Sequence, residues 1–327
     1  HISMPDNNPQ LDLLQRLIAC ETVTPNASNG LDIIHNHLEK MGFTVLRQTF
    51  AHAGEAPVDN LYARLGDKQP NFCFAGHMDV VPAGAASSWQ SPAFQPTIRD
   101  GKIYGRGASD MKGAIACFIN AVEDFLKENQ PNGSISLLIT GDEEGIAING
   151  TKPMLAWLAE QGETLDFCLV GEPTNPARLG EMVKIGRRGS MNALITVQGQ
   201  QGHVAYPHRA DNPIPRLLAI LNALTARHLD DGNAHFQPSN LEVTSIDVGN
   251  ATTNVIPGTA TARVNIRFNT EHKGAQLQEW IESTCAAQPG ASAAVHISGE
   301  AFLTQPGHLS DVVGKAVHKI TGQQPEL

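Results

Sequence analysis

The sequence predicts an α/β protein, a mixed, mostly parallel sheet with helices on both faces, into which a separate α+β lobe is inserted. Three observations carry that prediction. Helical and strand patterns alternate from the start to about residue 185. Longer, alternating β patterns replace them after Gly186-Arg187-Arg188-Gly189, and the style of the first 185 residues returns from Phe302 onward. The expected organisation is therefore a first segment over 4–186, an inserted lobe over 187–299 and a return segment over 300–327, the outer two forming one discontinuous domain.

Each element has its own signal. Apolar residues at helical spacing predict helices over 10–20, 31–41, 112–128 and 151–161. The run 11–20 is short, and Asp12, Gln15 and Arg16 interrupt it, so it reads as an amphipathic helix rather than a signal or membrane span. Gly42 stops the second helix, and Thr44-Val45-Leu46 opens a strand. Short apolar runs at 72–75, 135–140 and 167–170 read as buried strands, each bounded by a Gly or charge-rich turn. Within the lobe the β patterns cover 191–197, 241–248 and 259–268, with helices near 213–227 and 274–287. A helix through 311–320 follows, and no repeat or low-complexity tract interrupts the chain.

Composition bounds the function. The 327 residues suffice for one large or two medium domains. With 41% apolar and 17% charged residues, and 30 Gly and 20 Pro spread along the chain, this is a globular protein rather than a disordered or fibrous one. Acidic residues outnumber basic ones, 33 to 23, for a formal charge of −10, which argues against a nucleic-acid or membrane partner. The five Cys, at 20, 73, 117, 168 and 285, are scattered and form no Cys-x-x-Cys pair. A disulfide framework or thiolate zinc cluster is thus not expected, and a reducing, cytoplasmic setting fits best. His1-Ile2-Ser3 precedes a plausible initiator, Met4, and reads as an expression scar.

The chemistry gathers at the turns. Gly76-His77-Met78-Asp79 follows the strand 72–75, and a spacing of two lets His77 and Asp79 project together toward the carboxyl edge, where open α/β sheets bind ligands. An imidazole oriented by an acid suits a metal ligand, although His-x-Asp alone is more often a hydrogen-bonded turn. Gly105-Arg106-Gly107-Ala108-Ser109-Asp110-Met111-Lys112-Gly113 sets Asp110 in a glycine-rich loop before a long helix, where in isolation it reads as an N-cap. Thr140-Gly141-Asp142-Glu143-Glu144-Gly145 places three acids directly after a strand, either as a solvated turn or as a group whose repulsion a bound cation offsets. Gly171-Glu172-Pro173-Thr174 adds a fourth acid site. Because His77, Asp110, Glu144 and Glu172 all stand at strand-to-loop junctions, the joint pattern predicts a nitrogen- and oxygen-rich metal site on one sheet edge.

Competing motifs are missing: no G-x-S-x-G elbow, no phosphate loop, no dinucleotide fingerprint in a strand-turn-helix context and no H-E-x-x-H. In the lobe, Gly202-His203-Val204-Ala205-Tyr206-Pro207-His208 holds a His that is either surface decoration or a donor to a developing oxyanion. Arg187, Arg188 and Arg267 are candidate carboxylate clamps, since a guanidinium matches a carboxylate bidentately, or else salt-bridge formers.

In this order the motifs resemble those of the co-catalytic zinc aminoacylase and carboxypeptidase family, from about Leu11 to Leu327. The most specific stretches are Gly76-His77-Met78-Asp79-Val80-Val81-Pro82, 105–113, 142–151, 186–190 and 202–213. The last two point to its bacterial branch that removes succinate from an acylated diamino acid. The resemblance implies a zinc-peptidase-like catalytic domain in which His77, Asp110 and Glu172 hold one zinc, while Asp110 bridges to a second that Glu144 also binds. It implies that Asp79 orients His77, that Glu143 is the general base and that His203 stabilises the oxyanion. Arg187, Tyr206, Asn254 and Arg267 match substrate positions, although Thr253 stands where close relatives carry a second Asn. The lobe is expected to form a homodimer and to supply His203 to the partner's site.

The implied reaction is hydrolysis of N-succinyl-L,L-2,6-diaminopimelate to succinate and L,L-2,6-diaminopimelate, in lysine and cell-wall precursor synthesis. The alternatives are an acetylornithine deacetylase or dipeptidase of the same family, or a noncatalytic metal-binding or dimerisation protein. Family chains run on into a Gly/Ser/Thr-rich loop and a final His that binds the second metal, and neither occurs in these 327 residues; His308 and His318 do not occupy that motif. The expectation is a truncated chain with a weakened second site, in which one zinc, or a substituting cobalt, remains where intact chains hold two.

Overall fold

The structure, a computed structural model, describes residues 9–327, so the reading of His1-Ile2-Ser3 and Met4 lies outside the described residues. Contacts divide the chain into two units, one ending at Pro173 and the other running from Thr174 to Leu327.

In chain order the first unit contains α1 (Pro9–Ala19), α2 (Ser28–Lys40), β1 (Thr44–Phe50), β2 (Val58–Leu65), β3 (Asn71–His77), the small hairpin β4 (Thr97–Arg99) and β5 (Lys102–Tyr104), α3 (Gly113–Glu128), β6 (Ser134–Thr140), α4 (Thr151–Glu160) and β7 (Phe167–Val170). Five strands form one mixed sheet in the order β1-β2-β6-β3-β7. Its core is parallel, with β3 between β6 and β7, while β2 joins β6 and β1 joins β2 antiparallel. The period of two along each strand sorts side chains between the two faces. Leu61, Phe74, Leu137 and Ile139 face α1, α2 and α3 through Leu17, Leu31, Ile34, Ile115 and Ile119. The alternate residues Tyr62, Cys73 and Leu138 face Met154 and Leu158 of α4. Helices on both faces of a mixed sheet with a parallel core are what the sequence predicts.

The strand β2 was not among the predicted elements. Asp59, Asn60 and Arg64 hide its pattern, yet Asn60 is buried because its amide donates to the carbonyls of Val58 (3.2 Å) and Asn149 (3.0 Å). Buried polar groups of this kind persist only when paired.

The second unit contains β8 (Gly186–Arg187), β9 (Gly189–Gln198), β10 (Gly202–His203), α5 (Pro213–Ala226), β11 (Asn240–Asp247), β12 (Val255–Ile256), β13 (Thr259–Phe268), α6 (Gly274–Ala286), β14 (Ala291–Gly299), β15 (Phe302–Leu303) and α7 (His308–Thr321). Its four-stranded sheet, ordered β11-β13-β9-β14, is antiparallel throughout. Met191, Ile195, Val264 and Ile266 on one face pack with Leu217 and Ile220 of α5 and Leu277 and Ile281 of α6. Pro213 opens α5, where its missing N–H is no loss, and the Asn212 side chain accepts from Ile214 N at 3.1 Å. The chain end belongs to this unit: β15 pairs with β8, and Glu326 bridges to Met182. Among the described residues, no helix is long and apolar enough to cross a membrane.

Candidate metal centre

Parallel pairing aligns three strand ends. His77, the last residue of β3, is in register with Thr140, the last of β6, and Ala75 is in register with Val170, the last of β7. The loops that follow therefore leave the same edge, and they carry Asp79, Asp142, Glu143, Glu144 and Glu172.

His77 is 1% exposed. Its Nδ1 lies 2.8 Å from the main-chain carbonyl of Asp79, which can only accept, so this bond assigns the ring hydrogen to Nδ1. Nε2 faces carboxylate oxygens: Asp110 Oδ1 at 3.1 Å, Glu172 Oε1 at 3.1 Å and Glu143 Oε2 at 3.8 Å. One nitrogen cannot satisfy three anions. Burial opposes charge on the imidazole, but the hydrogen bonds that its ring N–H groups donate to Glu172 and to the Asp79 carbonyl, with the charges of Asp79 and Glu172, outweigh it and lift the group to about 9. The carboxyls are pushed the same way, Asp110 by burial and the Glu172 charge, Glu143 and Glu144 by burial and their acidic neighbours. These are the strains that a cation would relieve.

Two groups of side chains bring ligand atoms within 4.8 Å of one another: His77 with Asp110 and Glu172, and His77 with Glu143 and Glu144. Imidazole nitrogen with carboxylate oxygen fits a borderline divalent ion such as zinc. Glu144 enters the second group with Glu143, and after burial the charge of Asp110 is the largest influence that raises its carboxyl.

Local folding explains most of these placements. The N-cap reading of Asp110 is not what forms: Ala108–Lys112 is a kinked turn, Asp110 has φ −125° and ψ 98°, and Lys112 precedes α3. The Asp110 carboxylate turns to His77 instead. Asp79 differs from expectation as well. Its carbonyl, rather than its carboxylate, makes the close bond to His77, with the carboxylate at 3.6 Å. The carboxylate accepts from the backbone N–H groups of Glu143 (3.2 Å) and Glu144 (3.0 Å), donors that the buried start of the acidic loop would otherwise leave unpaired. Asp142 closes the same loop by accepting from Ile148 N (3.1 Å) and Asn149 N (3.2 Å). That holding role was missed, because the sequence marks Asp142 only as one acid among three.

In the second unit the pairing of β10 with β12 sets His203 opposite Val255, and Val204 N donates to the Asn254 carbonyl at 3.1 Å. The rings of His203 and Tyr206 are 5.9 Å apart. His203, Tyr206 and Asn254 thus share one exposed loop cluster. Arg267 is exposed on β13 and Arg187 on β8. Arg187 and Arg188 line a cavity of about 200 Å³ with Ser190, Glu300 and Phe302, and Arg188 also reaches the Pro238 carbonyl at 3.3 Å.

The sequence pattern of Peptidase family M20/M25/M40 matches residues 73–327, and the chain belongs to this family of hydrolases. Individual relatives narrow the class. Succinyl-diaminopimelate desuccinylase of Rhodospirillum centenum is 56% identical over 317 residues, covering 96% of this chain and 82% of that protein. The enzyme of the same name from Parvibaculum lavamentivorans is 53% identical over 322 residues, covering 97% and 81%. Among solved structures, an M20 family metallo-carboxypeptidase of Sulfolobus solfataricus superposes with a TM-score of 0.74 at 16% identity, covering 98% of this chain and 85% of that one. A Bacillus subtilis protein described as a dinuclear metal binding peptidase of the M20 family gives 0.65 at 16% identity, covering 97% and 81%. At such identities the two structures speak for the fold.

Proposed function

We propose that this chain is a zinc-dependent amidohydrolase that converts N-succinyl-L,L-2,6-diaminopimelate and water to succinate and L,L-2,6-diaminopimelate. The observation that carries the chemistry is His77 Nε2 facing the carboxylates of Asp110, Glu172 and Glu143. The relatives, 53% and 56% identical over nearly the whole chain, support the substrate.

His77, Asp110 and Glu172 would hold one ion, and Asp110 with Glu144 a second. Bound there, zinc would polarise the amide carbonyl and lower the pKa of water toward ~7. Glu143 takes the proton from the attacking water and returns it to the leaving amine. Asp79 keeps the His77 ring and the Glu143-Glu144 backbone in place. His203 donates to the oxyanion as the carbonyl becomes tetrahedral. Arg187, Tyr206, Asn254 and Arg267 bind the substrate, the guanidinium groups suiting its carboxylates. Residues 4–186 and 300–327 form the catalytic domain in this reading, the return segment meeting the first at the β15–β8 pairing and the Glu326–Met182 bridge, although contacts group both of those stretches with the second unit, and 187–299 is the lobe that dimerises and supplies His203 to the partner. The protein works in the cytoplasm.

The test is an assay of zinc-loaded protein for succinate release. Turnover of the succinylated diamino acid is expected. Cleavage of acetylornithine or a dipeptide, with the succinylated substrate untouched, would overturn the substrate.

A further inference from the structure

Lys112 has no part in the chemistry above, yet it is fully buried, and a buried ammonium is tolerated only where hydrogen bonds replace its water. Its Nζ donates to the carbonyl of Leu17 at 2.8 Å and to that of Cys20 at 2.9 Å. Both carbonyls lie at the C-terminal end of α1, where helical partners run out and the helix dipole favours a cation. The backbone N–H of Lys112 donates to the Gly107 carbonyl at 2.9 Å, which closes the turn containing Asp110. Gly107 makes room for the lysine stem. Its φ is +80°, and a Cβ there would lie 3.1 and 3.3 Å from Lys112 Cδ and Cε and 2.7 Å from Val80 Cγ1.

The residue between Asp110 and Lys112 is fixed too: Met111 is buried, and its sulfur accepts from the His77 N–H at 3.3 Å. Asp110 itself has a side chain 49% exposed, on a turn of non-helical backbone. Little of its own packing holds it, so its placement depends on the two anchors that follow it.

We propose that Lys112 is a positioning residue for the metal centre, its ammonium tying the Asp110 turn to the end of α1 so that the Asp110 carboxylate is held 3.1 Å from His77 Nε2. The inference rests on the reading of Asp110 as a metal ligand. A purely structural tie would alter stability and leave the coordination geometry untouched.

The experiment uses the full chain with Lys112→Met, which keeps the stem and removes the ammonium. Zinc affinity is measured by titration calorimetry, and the ligand field by the visible absorption of the Co²⁺-loaded protein, both well below the melting temperature. The expected result is a dissociation constant raised roughly 10- to 100-fold, the range seen when groups supporting metal ligands are removed, together with an altered Co²⁺ band. An affinity within about twofold of wild type and a superimposable spectrum overturn the inference, whatever happens to the melting temperature. Gly107→Ala keeps the charge and crowds the stem; it should move both readouts the same way, and it decides the question if Lys112→Met does not fold. Asp110→Ala separates the two readings. Undiminished ion uptake in that variant overturns the metal site itself, whereas loss of uptake there with none in Lys112→Met overturns only the role of Lys112.

Discussion

The sheet edge of the first unit and the His203 loop of the second are both rich in polar chemistry, but they are held in opposite ways. At the sheet edge, His77, Asp79, Asp142 and Lys112 are buried; Asp142 is held within its own loop, while the His77 N–H, the Asp79 carboxylate and the Lys112 ammonium are fixed by partners 34 to 95 residues away in the chain, Met111, Glu144 and Leu17. In the loop, Tyr206 is 55% exposed, and His203 takes its close bond from Ala205 two residues on, at 3.1 Å. The contrast separates a preorganised region, whose donor atoms are aligned before any ligand arrives, from an adaptable one that leaves its final contacts to whatever it meets.

Substitutions can test how sharp that division is. The largest effect is expected from Glu143→Gln, which keeps the shape and removes the base: turnover should fall by about 10²–10⁴-fold, with zinc affinity changed much less, as steady-state kinetics and calorimetry will show. Next is His203→Ala, for which turnover should fall about 10²–10³-fold with an unchanged zinc isotherm. A shifted isotherm would mean that the two regions are not divided as described. Asp142→Ala should cost roughly 1–3 kcal/mol by leaving the N–H of Ile148 and the buried N–H of Asn149 without their acceptor, whereas Arg209→Ala in the exposed loop should stay within about 0.5 kcal/mol; denaturant midpoints compare the two.

The smallest effect concerns pH. Burial, helped by Glu163, raises the Tyr62 phenol from 10.0 to about 12. A raised value means that the folded state keeps its proton longer than the unfolded one, so this contribution is complete below pH 10 and is lost as pH rises from 10 toward 12. Tyr62→Phe should flatten that part of the alkaline stability curve, measured as denaturant midpoint against pH.

Sequence pattern revealed elements whose packing is written in their own residues. Apolar spacing is plain in α3, β3 and β6; the junctions that bear His77, Glu144 and Glu172 were visible because each follows an apolar run, and that of Asp110 because a glycine-rich loop precedes a long helix. What escaped depended on partners far along the chain. β2 is buried through Asn60 and Tyr62, whose partners Asn149, Asn71 and Glu163 belong to other elements. β14, with the segment Ala291-Ser292-Ala293-Ala294, has too little apolar contrast to stand out. The division of labour within Asp79 was hidden for the same reason, since it depends on which backbone N–H groups the fold brings next to the carboxylate. Lys112 carried no signal in the sequence, because what buries it is the end of α1, 92 to 95 residues away in the chain.

The parallel pairing of β3 with neighbours on both sides has one more consequence. Up to Ala75 the strand has no open edge, and beyond it Gly76 and His77 stay paired with Ile139 and Thr140 of β6, so its tip opens only when that pairing is lost. The imidazole at its tip therefore shares the protection of the whole sheet, and amide exchange around it should follow global opening rather than loop motion.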